Sequence, residues 1–281
     1  MNNTNFQTWE QAVSWLVSQP EKQEIVKACY YDSPLKLAAD RYWQSEEWQT
    51  IQKYFPLNLG QALDIGAGRG ISSYALAKDG WQVTALEPDP SELVGTGAIQ
   101  KLADEEKLSI NIVQEFGESL PFEDASFDFV FARQVLHHAQ DLSQLCREIY
   151  RVLRPGGIFI AVRDHVIATK ADLTKFLDSH PLHHLYGGEN AYLRSEYLDA
   201  IKSANFKIKE TLDAFDSPIN YYPHTYNTLK QELSNRLNSL PILGIFANIF
   251  LSNAIFPYTL KILSKLDRRP GRAISFICYK N

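Results

Sequence analysis

The sequence predicts an α/β protein built on a doubly wound, mostly parallel sheet. Three observations carry this expectation. Five short apolar runs (Ala62–Ile65, Val83–Leu86, Ile110–Val113, Phe127–Ala132 and Ile158–Val162) have the length of strands and the unbroken apolar character of strands covered on both faces. Helical periodicity lies between most of them. The first run leads straight into a glycine-rich turn, Gly66-Ala67-Gly68-Arg69-Gly70, which opens a helical segment. Repeated βα units of this kind assemble a parallel sheet with helices on both faces.

The elements follow in order. Trp9, Val13, Leu16 and Val17 recur at helical spacing, and Pro20 stops that segment. Tyr30, Tyr31, Tyr42, Trp43 and Trp48 then form an aromatic cluster, so residues 1–55 are expected to be a helical cap whose rings pack on the sheet or line a ligand pocket. Residues 56–163 hold the five runs. Among them, Leu142, Leu145, Cys146, Ile149, Val152 and Leu153 form one helix face, with Asp141 and Gln144 placed for a capping box. Pro155-Gly156-Gly157 is expected to end that helix and turn the chain into the fifth strand.

Beyond Arg163, Ala171–Ser179 and Arg194–Ser203 read as helices and Phe206–Leu212 as a strand. Residues 215–270 read as an insertion with two helical stretches, and Ala273–Tyr279 as a final strand. The apolar segment Pro241–Phe256 falls short of the ~20 residues a membrane span needs. Asn248, Ser252, Asn253 and Pro257 interrupt it, so it reads as a buried or lid helix, with an interfacial membrane contact as the lesser reading.

Composition bounds the function. A chain of 281 residues with 45% apolar and 22% charged residues is globular, and a net charge of −5 without a basic run argues against a nucleic-acid partner. Cys29, Cys146 and Cys278 lie far apart without metal-ligand spacing, which suits buried thiols in a reducing compartment. Met1 to Gln11 is polar and lacks the pattern of a secretory leader, so the cytoplasm is the expectation. The oligomeric state is not legible.

The chemistry concentrates at the first turn. A strand ends in Asp64, and glycines follow where a side chain would block a ligand from the backbone. The helix N-terminus behind them offers free N–H groups. The second strand ends at Glu87, where a carboxylate can accept from both ribose hydroxyls. These features describe a nucleoside-containing cofactor, and nicotinamide enzymes use a similar turn. Here the spacing is G-x-G-x-G, with Ile71 where a dinucleotide fingerprint needs its third glycine, and Asp64 suits a cationic amino group better than a pyrophosphate.

Over roughly residues 60–163 the chain resembles the class I S-adenosylmethionine-dependent methyltransferases, in the subfamily that includes the ubiquinone/menaquinone methyltransferases. Besides the turn, the resemblance rests on Leu120-Pro121-Phe122-Glu123-Asp124-Ala125-Ser126-Phe127-Asp128, Val135-Leu136-His137-His138 and Arg151-Val152-Leu153-Arg154-Pro155-Gly156-Gly157. It implies a Rossmann-like domain over residues 1–281 with a seven-stranded sheet, in which Ala273–Tyr279 lies antiparallel beside Phe206–Leu212. It also implies S-adenosyl-L-methionine as cofactor. Asp64, Gly66, Ala67 and Gly68 would surround the methionine moiety, Glu87 would hold the ribose and Pro88 would pack on adenine. Gly117 and Glu118 would sit at the adenine edge, and Arg133 would lie either near the methionine carboxylate or at the surface. Phe116 departs from the family, which often has Asp there.

Methyl transfer from a sulfonium needs alignment and desolvation, and a base only where the acceptor must lose a proton. His137, His138 and His165 follow strands four and five and are candidates for that base, or else serve packing and helix entry. His180, His183, His184, Tyr186 and Glu189 show no fixed metal-ligand spacing and read as a polar pocket loop. No metal is therefore expected. The acceptor is expected to be a small, moderately apolar molecule methylated at oxygen, with nitrogen and carbon open. Its pocket would be walled by the N-terminal aromatics, the His183–Tyr192 loop and the 215–270 insertion with Tyr221, Tyr222 and His224. A nicotinamide-dependent oxidoreductase and a non-catalytic protein retaining the fold are the rival readings.

Overall fold

A computed structural model describes residues 8–239 and 249–281. Its strands are β1 (Gln61–Ile65), β2 (Gln82–Leu86), β3 (Ile110–Val113), β4 (Phe127–Arg133), β5 (Leu153–Ile167), β6 (Tyr192–Leu193), β7 (Lys207–Leu212) and β8 (Arg272–Tyr279). They form one sheet in the order β3-β2-β1-β4-β5-β8-β7, and β6 pairs with β5 beside that path. Neighbours from β3 through β5 run parallel, and β8 lies antiparallel between β5 and β7. The fold class and the place of the last strand are as the sequence predicts. The two-residue β6, parallel to Val166 and Ile167, makes an eighth strand.

Helices cover both faces. Helices α1 (Trp9–Ser18), α2 (Gln23–Ala28), α3 (Leu35–Trp43) and α4 (Glu46–Ile51) precede the sheet. Helices α5 (Ile71–Asp79), α6 (Thr96–Glu106), α7 (Leu142–Val152), α8 (Asp172–Ser179) and α9 (Arg194–Ser203) alternate with strands. Two more, α10 (Pro218–Tyr221) and α11 (Tyr226–Asn238), lie with a helix at Phe256–Leu266 between β7 and β8, so the described residues of the insertion hold at least the two helical stretches expected. The apolar segment expected as a helix from Pro241 falls, over residues 241–248, outside the described residues. Among the described residues no helix is long and apolar enough to cross a membrane.

Alternation along β4 builds the two halves of the core. Val130 and Ala132 join Leu145, Ile149 and Val152 of α7 and Tyr197 and Ile201 of α9. Phe129 and Phe131 face the other way, onto Trp48, Ile51 and Leu76. On that side the Asp79 carboxylate accepts Nε1–H of Trp43 (2.7 Å), Nε1–H of Trp48 (2.8 Å) and Nε2–H of Gln52 (2.7 Å), which ties the N-terminal helices to α5.

Two local expectations are corrected. Asp141 caps α7 by accepting the Gln144 N–H at 2.8 Å, but the Gln144 side chain turns to the Glu118 carbonyl and to Arg147, so the capping box is half formed. Strand β5 begins at Leu153 and runs through the Pro155-Gly156-Gly157 stretch, because Gly156 N–H donates to the Lys280 carbonyl and the Lys280 N–H to the Gly157 carbonyl.

Candidate functional site

The carboxyl ends of β1, β2, β4 and β5 open on one cavity of about 860 Å³, within the usual range for small-molecule sites. Gly66, Ala67 and Gly68 of the first turn, Glu87 and Pro88 after β2, Gly117 and Glu118, and Arg133 all line it. Gly66 and Gly68 have φ of +62° and +53°, which favour glycine. The two differ in what a side chain would meet. A Cβ at Gly66 would lie 2.7 Å from Val135 Cγ2, whereas one at Gly68 would meet nothing within 4 Å. Gly68 therefore leaves room in the cavity itself.

Asp64 is not among the lining residues. It is buried, and its Oδ2 accepts the hydroxyls of Ser72 (2.7 Å) and Ser73 (2.6 Å) in the first turn of α5. Oδ1 is buried without a hydrogen-bond partner. Burial pushes this carboxyl up to about 6, against the hydrogen bonds from the two serines. Glu87 accepts the N–H groups of Gly68 (2.7 Å) and Asp89 (2.9 Å), and burial pushes it up to about 7. The glycine turn and the Glu87 carboxylate on the cavity wall fit a nucleoside ligand, whereas Asp64, expected to meet its amino group, is buried and does not border the cavity.

Arg133 is held inside the protein. Its Nε donates to Glu47 Oε1 at 2.8 Å, and its guanidinium lies 5.4 Å from the Tyr30 ring and 5.3 Å from the Tyr42 ring. Arg69 reaches back to donate to the Tyr30 carbonyl at 2.8 Å, locking the N-terminal segment over the turn. Trp9, Tyr30 and Tyr31 then reach the cavity wall, while Trp43 and Trp48 serve the anchor at Asp79. Phe116, at 62% exposure, lines the mouth near Gly117.

Opposite the turn, histidines converge. His137 follows β4; its Nδ1 lies 2.9 Å from Asp164 Oδ1, and its backbone N–H donates to the same oxygen at 3.2 Å. His165 lies two residues before the end of β5, with Nδ1–H donating to the Gly271 carbonyl at 2.8 Å. A register shift between Ala161 and Asp164 re-aims this end of the strand, with Arg163 at φ +63°. Glu189 brings Oε2 to 3.7 Å from His137 Nε2 and Oε1 to 3.9 Å from His180 Nδ1. Burial opposes the charged form of His137, but Asp164 and Glu189 raise it above its ordinary value. Burial and the neighbouring His137 push His165 down to about 3. Burial would raise Glu189, but His137 and the other imidazoles hold it down to about 2.

Of the other loop histidines, His180 lines the cavity, and His184 Nε2 contacts the Asp178 carbonyl at 2.6 Å. His138 lines the cavity as well, with Nδ1 3.1 Å from the Gly188 carbonyl. The 215–270 insertion contributes no lining residue among the described residues. Tyr221 instead packs with Leu229, Leu251, Phe256 and Leu260 in a separate cluster, and Tyr222 stacks behind Tyr30 at 5.4 Å. The described residues of the expected third wall thus pack as a buttress behind the site. Sequence reasoning missed Asp164 and Glu47. Asp164 had a signal, since it stands beside His165 at a strand end.

Residues 63–161 match the family described as "Methyltransferase domain", about a third of the chain. The chain is 35% identical over 106 residues to a ubiquinone biosynthesis O-methyltransferase of Methylocella silvestris, covering 38% of this chain and 40% of that protein. It is 30% identical over 172 residues to the uncharacterised methyltransferase YcgJ of Bacillus subtilis, covering 57% of this chain and 62% of that one. The chain thus spans about four to six tenths of these relatives. The fold matches that of Haemonchus contortus phosphoethanolamine N-methyltransferase 2 in complex with S-adenosyl-L-methionine, with a TM-score of 0.57, 18% identity, and coverage of 92% of this chain and 59% of that one. Over residues 63–161 the chain is thus similar to proteins described as methyltransferases.

Proposed function

We propose that this protein transfers a methyl group from S-adenosylmethionine to an oxygen of a small, moderately apolar organic acceptor. One observation carries the reading: the Gly68–Glu87 cradle and the His137–His165 pair open on the same cavity. The cofactor supplies an electrophilic methyl group when bound. The chain's own residues supply the rest. Glu87 offers a carboxylate to ribose hydroxyls, Gly66 and Gly68 let the ligand approach the backbone, and Pro88, Gly117 and Glu118 border the base. Trp9, Tyr30, Tyr31 and the Tyr186–Glu189 stretch exclude water from the acceptor end.

An acceptor hydroxyl must lose its proton before or during transfer. Carbonyl and carboxylate partners on Nδ1 of His165 and His137 leave each Nε2 as the ring atom available at the acceptor end of the cavity. The name of the Methylocella relative supports an oxygen acceptor. Free thiols at Cys29, Cys146 and Cys278 support a reducing, cytoplasmic setting.

Calorimetry tests the reading. S-adenosylhomocysteine should bind at one equivalent and NADH should not. Binding of NADH alone would overturn methyl transfer in favour of hydride chemistry.

A further inference from the structure

Beyond the cofactor cradle, the cavity holds a cluster that methyl transfer as such does not require. One ligating atom from each of His137, His165 and Glu189 lies within 4.8 Å of the other two. The three come from different parts of the chain: the turn after β4, the end of β5 and the loop before β6. Side chains of His137 and Glu189 are 1% and 10% exposed.

The surroundings of the trio are those of metal ligands. An imidazole that binds a metal through one nitrogen almost always donates its other N–H to a carboxylate or carbonyl, which fixes the tautomer and aims the lone pair. Both rings meet that condition. His137 has Asp164 on Nδ1 at 2.9 Å, and His165 has the Gly271 carbonyl on Nδ1 at 2.8 Å. Asp164 also accepts the His137 backbone N–H, so the ring is oriented from two sides. The third member, Glu189, faces the imidazoles of His137 and His180 at 3.7 and 3.9 Å but has an oxygen without a hydrogen-bond donor. Glu189 Oε2 is buried with no hydrogen-bond partner, and His137 Nε2 at 3.7 Å is beyond hydrogen-bond range. A nine-tenths buried carboxylate oxygen left unpaired is costly unless something occupies the space before it.

We infer that His137, His165 and Glu189 form a site for a divalent first-row transition-metal ion, with its open positions turned to the cavity. Two imidazoles and one carboxylate suit zinc or ferrous iron, and disfavour magnesium and calcium, which prefer all-oxygen shells. Bonds of about 2.0–2.1 Å require the three groups to close by roughly an ångström, a side-chain adjustment. The remaining positions take two adjacent oxygens of the acceptor, such as a vicinal diol, an enediol or a hydroxy-ketone, and the ion favours the deprotonated oxygen. This last step rests on the methyl-transfer reading; the metal site does not.

The test uses full-length, tag-free protein stripped with chelator and titrated with cobalt(II), whose visible absorption reports nitrogen coordination. One equivalent should bind and develop a visible band. Glu189→Gln and His165→Ala should each weaken binding at least tenfold, whereas His184→Ala should leave it unchanged. Acetohydroxamate, a small two-oxygen chelator, should shift the band in the wild type. S-adenosylhomocysteine binding, measured on the same samples, reports that each variant is folded. No cobalt binding by protein that binds S-adenosylhomocysteine overturns the metal site, and so does equal binding by wild type and Glu189→Gln. Cobalt binding without S-adenosylhomocysteine binding would uphold the site and overturn the methyl-transfer reading. An unshifted band with acetohydroxamate would overturn the open positions.

Discussion

Glu47 and Arg133 form an ion pair inside the protein. The Glu47 side chain is 0% and the Arg133 side chain 11% exposed, with Nε donating to Oε1 at 2.8 Å. The pair joins α4 to the end of β4 across 86 residues of sequence, and the rings of Tyr30 and Tyr42 flank the guanidinium. Removing one partner of a buried pair strands the other's charge. Glu47→Ala should therefore lower stability by about 3–5 kcal/mol in urea unfolding. Glu47→Leu combined with Arg133→Met should recover much of that loss. An unchanged unfolding midpoint for the single variant would show that the pair is not structural.

The two turn glycines should separate stability from binding. Gly66→Ala sets a Cβ 2.7 Å from Val135 Cγ2 at φ +62°, and should cost about 1–3 kcal/mol. Gly68→Val carries the cost of a branched residue at φ +53°, about 1–2 kcal/mol, but its side chain enters open cavity. It should fold and lose the rise in melting temperature that S-adenosylhomocysteine gives the wild type. A retained ligand-induced rise would move the cofactor away from this turn.

How far these residues were legible differs by distance along the chain. Asp64, the glycine turn and Glu87 stand at strand ends, where the apolar runs that precede them mark their place. The doubly wound, mostly parallel sheet follows from the same runs, while the order of its strands came only with the structure. Strand β6 was hidden because two residues, Tyr192 and Leu193, carry no alternation. The start of β5 was hidden because proline and glycine read as breakers, while its pairing lies with Lys280 far downstream. Glu47 gives no local hint of Arg133. His137, His165 and Glu189 were each visible, but their convergence depends on the register shift in β5 and on the path of the loop before β6.

The raised carboxyls give a pH signature. Glu87 holds its proton to about 7 when folded, against an ordinary 4.5. Between these values the native state binds more protons than the unfolded chain, so its contribution is present below about 4.5 and lost as pH rises to about 7. The ligand-free wild type should therefore lose stability relative to Glu87→Gln across that window, read as the difference between their urea midpoints. A constant difference would show that Glu87 is ionised throughout. At about pH 8, Glu87→Ala should weaken S-adenosylhomocysteine binding by about 1–3 kcal/mol in calorimetry, through loss of charge-assisted hydrogen bonds.

Asp79→Ala should loosen the N-terminal helices. It leaves the indole N–H groups of Trp43 and Trp48 and the Gln52 amide without their acceptor. A loss of about 2–3 kcal/mol follows from orphaned, partly buried donors. Tryptophan fluorescence should shift to the red as water reaches the rings. An unshifted spectrum with unchanged stability would show that packing alone holds the segment.

The antiparallel β8 also sets a timetable for synthesis. Strand β7 reaches the rest of the sheet only through β8, and the long side of β5 away from β4 pairs chiefly with β8. Roughly sixty residues separate β7 from β8, about 3–12 s of translation at 5–20 residues per second. Through that interval the nascent chain carries a nearly finished parallel sheet with a raw apolar edge at Phe159–Ala161, the kind of edge that recruits other strands. Ribosomes stalled between residues 213 and 271 should thus present chains that chaperones hold and that aggregate when released, whereas completing the last strand shields that edge in a single step.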